Sequence, residues 1–357
     1  MDWHLQSLGF PQTLAEVLKL SPPQIDLLAD NFLSEEILIK DEYSKTDFYG
    51  RDYTLKIHRL VVRLLTEAHL SGVISLSRLV DQDYTAGNAF VALLAEVGRI
   101  SPESFMSGSF EVHRPIAIRA MARSFHCPYE TMRRALRRLS QLELADLRED
   151  GVVLKPGAIE RPDVQAYLND IHDITVTLVD DLYNFAKLPV PQSSHSACPE
   201  QFIKLASLDL HLLAVEGMQN IFLDFSSLML TAAITAGNIR HITYHPELAF
   251  TYAGADQVPP MSMRRPVQFK ALCDVLPISP TTAWRRITAM KMIGFIKAVD
   301  GGLVVDSHWL RNSRHIYNAC DRIDRMRHII KRMALSGVPL DDVSSLYIKG
   351  RVTPVSL

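Results

Sequence analysis

Arginines crowd one short stretch of the chain, where Arg133, Arg134, Arg137 and Arg138 fall within six residues. The planar guanidinium fork of arginine can bridge phosphate oxygens or bind the O6 and N7 atoms of guanine. Apolar side chains recur at helical spacing through the same stretch, at Met132, Leu136, Leu139 and Leu142. The arginines fall largely off this apolar stripe. We therefore expect a helix that begins near Tyr129, buries its apolar side and turns its cationic groups to solvent.

The residues on either side of this helix predict the elements that position it. A preceding helix is expected over residues 116–125, where apolar side chains again recur at helical spacing. It should end at His126-Cys127-Pro128, because proline cannot continue a helix and restricts the residue before it. Residues 144–148 and 152–155 alternate as strands around Asp150-Gly151, a dipeptide that suits a tight hairpin. The predicted order is helix, turn, basic helix and β-hairpin.

The same order occurs a second time. Residues 265–305 align with residues 114–154 without a gap, at an offset of 151. Identical residues occupy matched positions: Arg114 and Arg265, Pro115 and Pro266, Ala120 and Ala271, Thr131 and Thr282, Arg134 and Arg285, Gly151 and Gly302. Upstream, Thr-Ala-Gly-Asn occurs at 85–88 and again at 235–238. We interpret this as internal duplication. Because glycine is costly inside a helix, we expect Gly87 and Gly237 to allow close helix approach.

The duplication predicts how the chain is divided. A helical N-terminal extension covers residues 1–44, and its acidic run is expected to be a solvated surface. Repeat 1 covers residues 45–187, a proline-bearing linker covers 188–199, repeat 2 covers 200–334, and a tail without clear periodicity covers 335–357. Further amphipathic helices are predicted over residues 53–70, 76–97, 162–186 and 307–333.

Helix, turn, basic helix and hairpin in this order resemble the winged helix-turn-helix domain of bacterial transcription regulators of the MarR, GntR and IclR types. The resemblance implies a mainly α fold with small β-hairpins. It also implies two winged helices, at 114–155 and 265–306, in a pseudo-two-fold arrangement like a MarR dimer around a helical body. Such proteins place two recognition helices about 34 Å apart, in successive major grooves of DNA. The implied function is sequence-specific binding of double-stranded DNA, as a cytoplasmic, nucleoid-associated regulator of transcription.

The helical wheel then selects the residues expected to contact DNA. In the first segment (residues 114–155) they are Arg114, Thr131, Arg133, Arg134 and Arg137, and in the second segment (residues 265–306) they are Arg265, Thr281, Thr282, Trp284, Arg285 and Thr288. Trp284 could instead pack on protein, and Glu130, Glu143 or Asp146 could pair with some of the arginines. The acidic hairpin tips argue against contacts between the hairpins and the DNA backbone, except through Arg148, Lys155 or Lys297.

Composition limits the classes of function that remain. The formal net charge is −2, so nucleic-acid affinity must come from a local patch. Four scattered cysteines without a CxxC pair indicate reduced thiols in a cytoplasmic protein. The N-terminus does not read as a signal peptide, and no uninterrupted apolar run is long enough to span a membrane, so no membrane partner is expected.

Residues that could carry catalysis are scarce. The sequence contains no P-loop, GxSxG, dinucleotide fingerprint or HExxH motif, so we expect neither an enzyme nor a cofactor. His241 and His245 lie four apart on a predicted helix, a spacing that can bind metal but is more often structural, and no metal site is expected. A small-molecule effector and a second copy of the chain remain open as partners. A replication initiator with tandem winged helices and a protein-binding scaffold remain the alternative functions.

Overall fold

The computed structural model describes residues 51–100, 105, 114–188, 191, 199–219, 224–311 and 313–357. The expected N-terminal extension over residues 1–44 and most of the linker over 188–199 lie outside the described residues.

The described chain is mainly helical and carries two small antiparallel hairpins, as predicted. The first elements are α1 Arg51–Leu79, α2 Tyr84–Ile100, α3 Ile118–Ser124, α4 Tyr129–Gln141, β1 Ala145–Arg148, β2 Gly151–Leu154 and α5 Pro162–Asp180. They are followed by α6 Pro199–Gln219, α7 Phe225–Thr243, α8 Pro246–Thr251, α9 Phe269–Val275, α10 Pro280–Met292, β3 Ile296–Val299, β4 Gly302–Val305, α11 Ser307–Leu310 and α12 Ser313–Leu335. A π-helical turn at Asp181–Phe185 continues α5, and 3₁₀ turns lie at Met261–Met263 and Leu340–Leu346.

These elements belong to two compact units. Among the described residues, unit 1 contains residues 51–67, 217–323 and 355–357, and unit 2 contains residues 68–216 and 324–354. Each unit therefore combines segments that are distant in sequence. Helices α1 and α12 each contribute residues to both units.

Unit 2 is built around the packing of α2 against α4 and β2, with α3 also packed on α4. The apolar stripe of α4 is buried at Met132, Ala135, Leu136 and Leu139. Strands β1 and β2 pair from Ala145↔Leu154 to Arg148↔Gly151, and an isolated bridge joins Ile116 to Val152. Burial of the stripe thus places the remaining side of α4 at the surface.

The corresponding elements of unit 1 pack similarly, except that the short helix α9 lies mainly against α7 and not α10. Helix α7 contacts α10, β4 and α9, and α10 buries Ala283, Ile287 and Met290. Strands β3 and β4 pair from Ile296↔Val305 to Val299↔Gly302, and an isolated bridge joins Val267 to Leu303. All three pairings are offset by 151 residues from those of unit 2, so both hairpins have the same register.

The residues after Leu335 were predicted only as an aperiodic tail, but in unit 2 they are tied to α5. The carboxylate of Asp173 accepts backbone N–H bonds from Ile348 at 2.9 Å, Lys349 at 2.7 Å and Gly350 at 3.2 Å. Burial opposes ionisation of Asp173, but the bonds from Ile348 and Lys349, together with His172, lower its pKa. The tail is therefore held by polar contacts, which hydrophobic periodicity does not reveal.

Helix α1 differs from the sequence-based expectation in length. It continues to Leu79, where two helices divided between residues 70 and 76 were predicted. The break comes at Asp81 and Gln82, which both have positive φ, and the Asp83 carboxylate then accepts the N–H of Ala86 at 3.0 Å. By length and composition alone, Leu55–Leu79 could cross a membrane, although Arg59, Arg63 and Glu67 interrupt its apolar residues. Of the apolar stretch within this helix, 72% is buried in the protein, as in a core helix.

Candidate nucleic-acid interface

Helix α4 begins at Tyr129, directly after Pro128 as predicted. Because its apolar stripe is buried, the side chains of Arg134 and Arg137 lie exposed, while those of Thr131 and Arg133 are half-buried. Neither Arg134 nor Arg137 makes an ion pair with any residue that the structure describes. These two guanidinium groups are therefore available to an external anion.

The other two arginines of α4 have partners within the protein. Arg133 donates two hydrogen bonds to Glu130, at 2.6 and 2.7 Å, and these bonds lower the pKa of the Glu130 carboxyl. Arg138 pairs with Asp81. The pairing considered for Glu130 is thus observed, whereas Glu143 pairs with Lys155 instead. Half of the positive charge expected on this helix is offset locally.

Two exposed arginines on α3 were not among the predicted site residues. Arg119 and Arg123 lie four residues apart and point to solvent, since Met121 and Ala122 on the same short helix are buried. Arg114, just before α3, is exposed as well. The sequence did contain this signal, because both arginines fall between the apolar positions used to predict α3. The first segment therefore presents more cationic side chains than the basic helix alone.

Helix α10, the counterpart in the second segment, is less basic. Its exposed residues near the N-terminus include Thr281, Trp284 and Arg285, and 63% of Trp284 is accessible to solvent. Arg285 makes no ion pair with the residues described, but its neighbour Arg286 contacts Asp224 at 3.2 Å. An exposed indole beside a single free guanidinium is a different surface from the two free arginines of α4, Arg134 and Arg137.

The remaining predicted residues of the second segment have mixed environments. Ser279 caps α10, since its hydroxyl accepts the N–H of Thr282 at 3.2 Å and donates to the Thr282 hydroxyl at 2.9 Å. Thr288 is half-buried, and Arg265 is exposed just before α9. The cap occupies the Thr282 hydroxyl, so Thr281 is the freer of the two threonines.

Both hairpins approach the start of their own segment closely. Gly151 has φ +156° and Gly302 has φ +148°, and a Cβ at either would lie 2.4 Å from a backbone carbonyl oxygen, that of Ile116 or Val267. Only glycine fits these positions without a shift of backbone. The hairpin tips are exposed and acidic at Asp150 and Asp300.

Cationic side chains near the hairpins were the exceptions considered for backbone contacts. Lys155 is paired with Glu143, and Lys297 with Asp306. Arg148 is exposed and makes no ion pair within the described part of the chain. The hairpins consequently add little free positive charge to either surface.

A buried asparagine fastens the second hairpin to α7. The side-chain amide of Asn238 donates to the carbonyls of Arg265 at 2.8 Å and Leu303 at 3.0 Å, and its oxygen accepts the N–H of Val305 at 3.0 Å. Asn88 occupies the matched place in the first repeat, yet its oxygen lies 2.8 Å from Nε2 of His211. The two Thr-Ala-Gly-Asn motifs thus hold different partners.

The glycines of these motifs also differ. A Cβ at Gly87 would lie 2.9 Å from Leu76 Cδ2, so close approach of α1 and α2 requires glycine there, as expected. A Cβ at Gly237 would instead lie 2.4 Å from Cγ2 of Val267, the residue that bridges to β4. The expectation of close helix approach was therefore wrong at Gly237. There the side chain of Val267, which lies next to β4, leaves no room for a Cβ.

The histidine pair considered for metal binding is not on one helix. Helix α7 ends at Thr243, and His245 caps α8 by accepting the N–H of Leu248 at 3.4 Å. Nε2 of His241 contacts the carbonyl oxygen of Met263 at 2.9 Å. No cluster of three or more His, Cys, Asp or Glu side chains suited to a metal occurs among the residues described.

Comparisons of the chain with protein-family models, with curated proteins and with solved structures find no match.

Proposed function

We propose that the protein binds double-stranded DNA in a sequence-specific manner and regulates transcription, using two winged helix-turn-helix segments that arose by internal duplication. The observation that carries this proposal is the set of exposed arginines on α4 and α10 that make no ion pair with any described residue, namely Arg134, Arg137 and Arg285. In each segment the helix is preceded by a shorter helix and followed by a hairpin in the same register. This order supports a recognition helix that enters the major groove.

The two segments are expected to contribute differently. Arg114, Arg119 and Arg123 add positive charge to the first segment, and guanidinium groups there are suited to phosphates and guanine edges. The second segment offers Trp284 and Arg285 with the hydroxyl of Thr281. An exposed indole can pack on a thymine methyl group or a sugar. The half-sites read by the two helices should therefore differ in sequence.

A scaffold that binds another protein is the second candidate. The exposed area of Trp284 and the acidic hairpin tips favour it, because aromatic side chains are enriched in protein interfaces and acidic groups repel phosphate. Under this alternative, duplex DNA of any sequence would bind weakly and without preference.

Selection of bound duplexes from a random library, followed by titration of the selected sequence, tests the proposal. Arg134→Ala combined with Arg285→Ala should weaken binding by about 1–3 kcal/mol per arginine. Thermal stability should change little, because both side chains are exposed and make no ion pair within the described ranges. The control is Arg325→Ala combined with Lys331→Ala, which removes the same charge from exposed positions of α12. Equal affinities of the two double variants would refute the assignment, and failure to enrich any sequence would favour the scaffold.

A further inference from the structure

Unit 1 contains a cavity of about 670 Å³. Apolar and charged side chains share its lining: Leu55, Phe250, Ile316, Lys56, Asp256 and Arg311. Small-molecule sites commonly have volumes of roughly 300–1,000 Å³ and combine apolar walls with a few polar groups. The cavity is thus large enough for a compact organic molecule.

The walls of the cavity are fastened to each other by backbone hydrogen bonds. Ala255 donates its N–H to the carbonyl of Leu55 at 2.9 Å, and Arg59 donates its backbone N–H to the carbonyl of Ala253 at 2.7 Å. The loop that carries Ala255 and Asp256 is therefore joined directly to α1. A wall held in this way is preformed, which reduces the entropy that a ligand loses on binding.

A partly buried guanidinium lies behind this wall. Arg59 donates to the carbonyl of Ala255, a lining residue, and to the carbonyl of Leu310 at 2.7 Å, while its Nε has no hydrogen-bond partner. Carbonyl oxygens satisfy donors but do not neutralise a full positive charge. Burial, and then the neighbouring charges of Arg264 and Arg311, lower the pKa of Arg59 to about 10. At neutral pH the group is still cationic.

A second buried arginine, Arg264, adds to the positive charge near the cavity wall. Arg264 donates to the carbonyls of Pro259, at 2.8 Å, and Val305, and to the Ser307 hydroxyl at 3.1 Å, without a carboxylate partner among the described residues. Burial is also the main cause that lowers the pKa of its guanidinium.

In the described part of unit 1, fewer carboxylates than guanidinium groups lie near this site. Asp256 is the acid whose charge acts on Arg59, whereas the nearby Asp306 is paired with Lys297. Among the described residues, Arg59, Arg264 and Arg311 thus lie near the one carboxylate of Asp256, which leaves an excess of positive charge beside a partly open, partly apolar space. A buried positive charge of this kind is stabilised by an anion.

We infer that this cavity binds a small organic anion, with its apolar body against Leu55, Phe250 and Ile316 and its acidic group at Arg311. The ligand is an aromatic or branched aliphatic carboxylate, sulfonate or phosphate, since a larger polyanion would not bury its charge there. The inference does not depend on the proposed binding of DNA.

Fluorescence titration of the full chain with 8-anilinonaphthalene-1-sulfonate tests the inference, because this probe is an apolar anion that becomes bright in an apolar site. We expect saturation at one site per chain. Arg311→Ala should weaken binding of the probe about fivefold, because it removes a charge that attracts the anion. Asp256→Asn should strengthen binding by a similar factor, because it removes a charge that repels the anion. Neutral N-phenyl-1-naphthylamine should respond to neither substitution.

Lys331→Ala is the matched control, since it removes an exposed cation from unit 2 and should leave the affinity of the probe unchanged. Arg311 and Asp256 are both exposed, so neither variant is expected to disturb folding. Equal affinity of the probe for the wild type, Arg311→Ala and Asp256→Asn would overturn the inference. Absence of a saturable site, or equal sensitivity of the neutral compound to both substitutions, would overturn it as well.

Discussion

Replacement of Asn238 by alanine should destabilise the protein far more than the same replacement at Asn88. Asn238 makes three hydrogen bonds to backbone groups of the second segment, at 2.8 to 3.0 Å, and it is 1% exposed. The carbonyl of Leu303 keeps a second bond, from the N–H of Val267. The Arg265 carbonyl and the Val305 N–H would lose the partner that Asn238 provides.

The strand register explains why β3 cannot supply another partner for the N–H of Val305. Asp306 donates its N–H to Phe295, and hydrogen-bonded pairs alternate in an antiparallel ladder, so the N–H of Val305 points away from β3. An unsatisfied buried polar group costs about 1–3 kcal/mol. The buried N–H of Val305, the part-buried carbonyl of Arg265 and a small cavity together predict a loss of roughly 3–5 kcal/mol for Asn238→Ala.

Asn88→Ala is the control that the chain itself supplies, because Asn88 occupies the matched motif position and is also buried. Its oxygen contacts one side chain, His211, so the loss should be about 1–2 kcal/mol. Urea denaturation of the wild type and both variants measures the two differences. Hydrogen exchange should show faster opening at Val305 in Asn238→Ala. Equal losses in the two variants would refute the assignment of Asn238 as the residue that fastens the hairpin.

Further predictions concern a buried ion pair and two buried histidines. Glu67 accepts two bonds of 2.7 Å from Arg240, so Glu67→Ala should cost about 3–5 kcal/mol in a denaturant titration, and a loss below about 1 kcal/mol would contradict this. Burial lowers the pKa of His58 and of His211 to about 3, below an unfolded value of about 6.5. The contribution of each neutral histidine to the free energy of unfolding should therefore be fully present above pH 6.5. It should fall between pH 6.5 and pH 3 by up to about 1.4 kcal/mol per pH unit, because only the unfolded state takes up the proton in that range. His211→Gln should flatten that dependence, measured by urea unfolding at several pH values, whereas His328→Gln at an exposed site should not.

Local patterns predicted the helices and hairpins well where one face is buried within a single unit. The apolar stripe and Pro128 located α4, and Asp150-Gly151 located the first hairpin, because spacing and turn chemistry are local properties. The same reasoning divided α1 wrongly between residues 70 and 76, where Ser71, Gly72 and Ser75 interrupt the apolar pattern but the helix continues. The break was instead set by the positive φ of Asp81 and Gln82.

Which arginines of the candidate site are ion-paired depends on contacts with residues distant in sequence, and local patterns do not predict those contacts. Arg138 is paired with Asp81, which lies 57 residues earlier in the chain, and Arg286 with Asp224. Which arginines remain free could therefore not be read from the helical wheel. Arg119 and Arg123 could have been found, because they occupy the exposed positions of a helix that the sequence predicted correctly.

The salt dependence of duplex binding tests the central claim most directly. Each phosphate neutralised by a cationic side chain contributes about 0.9 to the slope of log affinity against log salt concentration. Arg134→Ala combined with Arg137→Ala should therefore make the slope shallower by up to about 1.8 on a selected duplex, while Arg325→Ala combined with Lys331→Ala should leave it unchanged. An identical slope in the wild type and in Arg134→Ala with Arg137→Ala would show that the free arginines of α4 do not bind DNA.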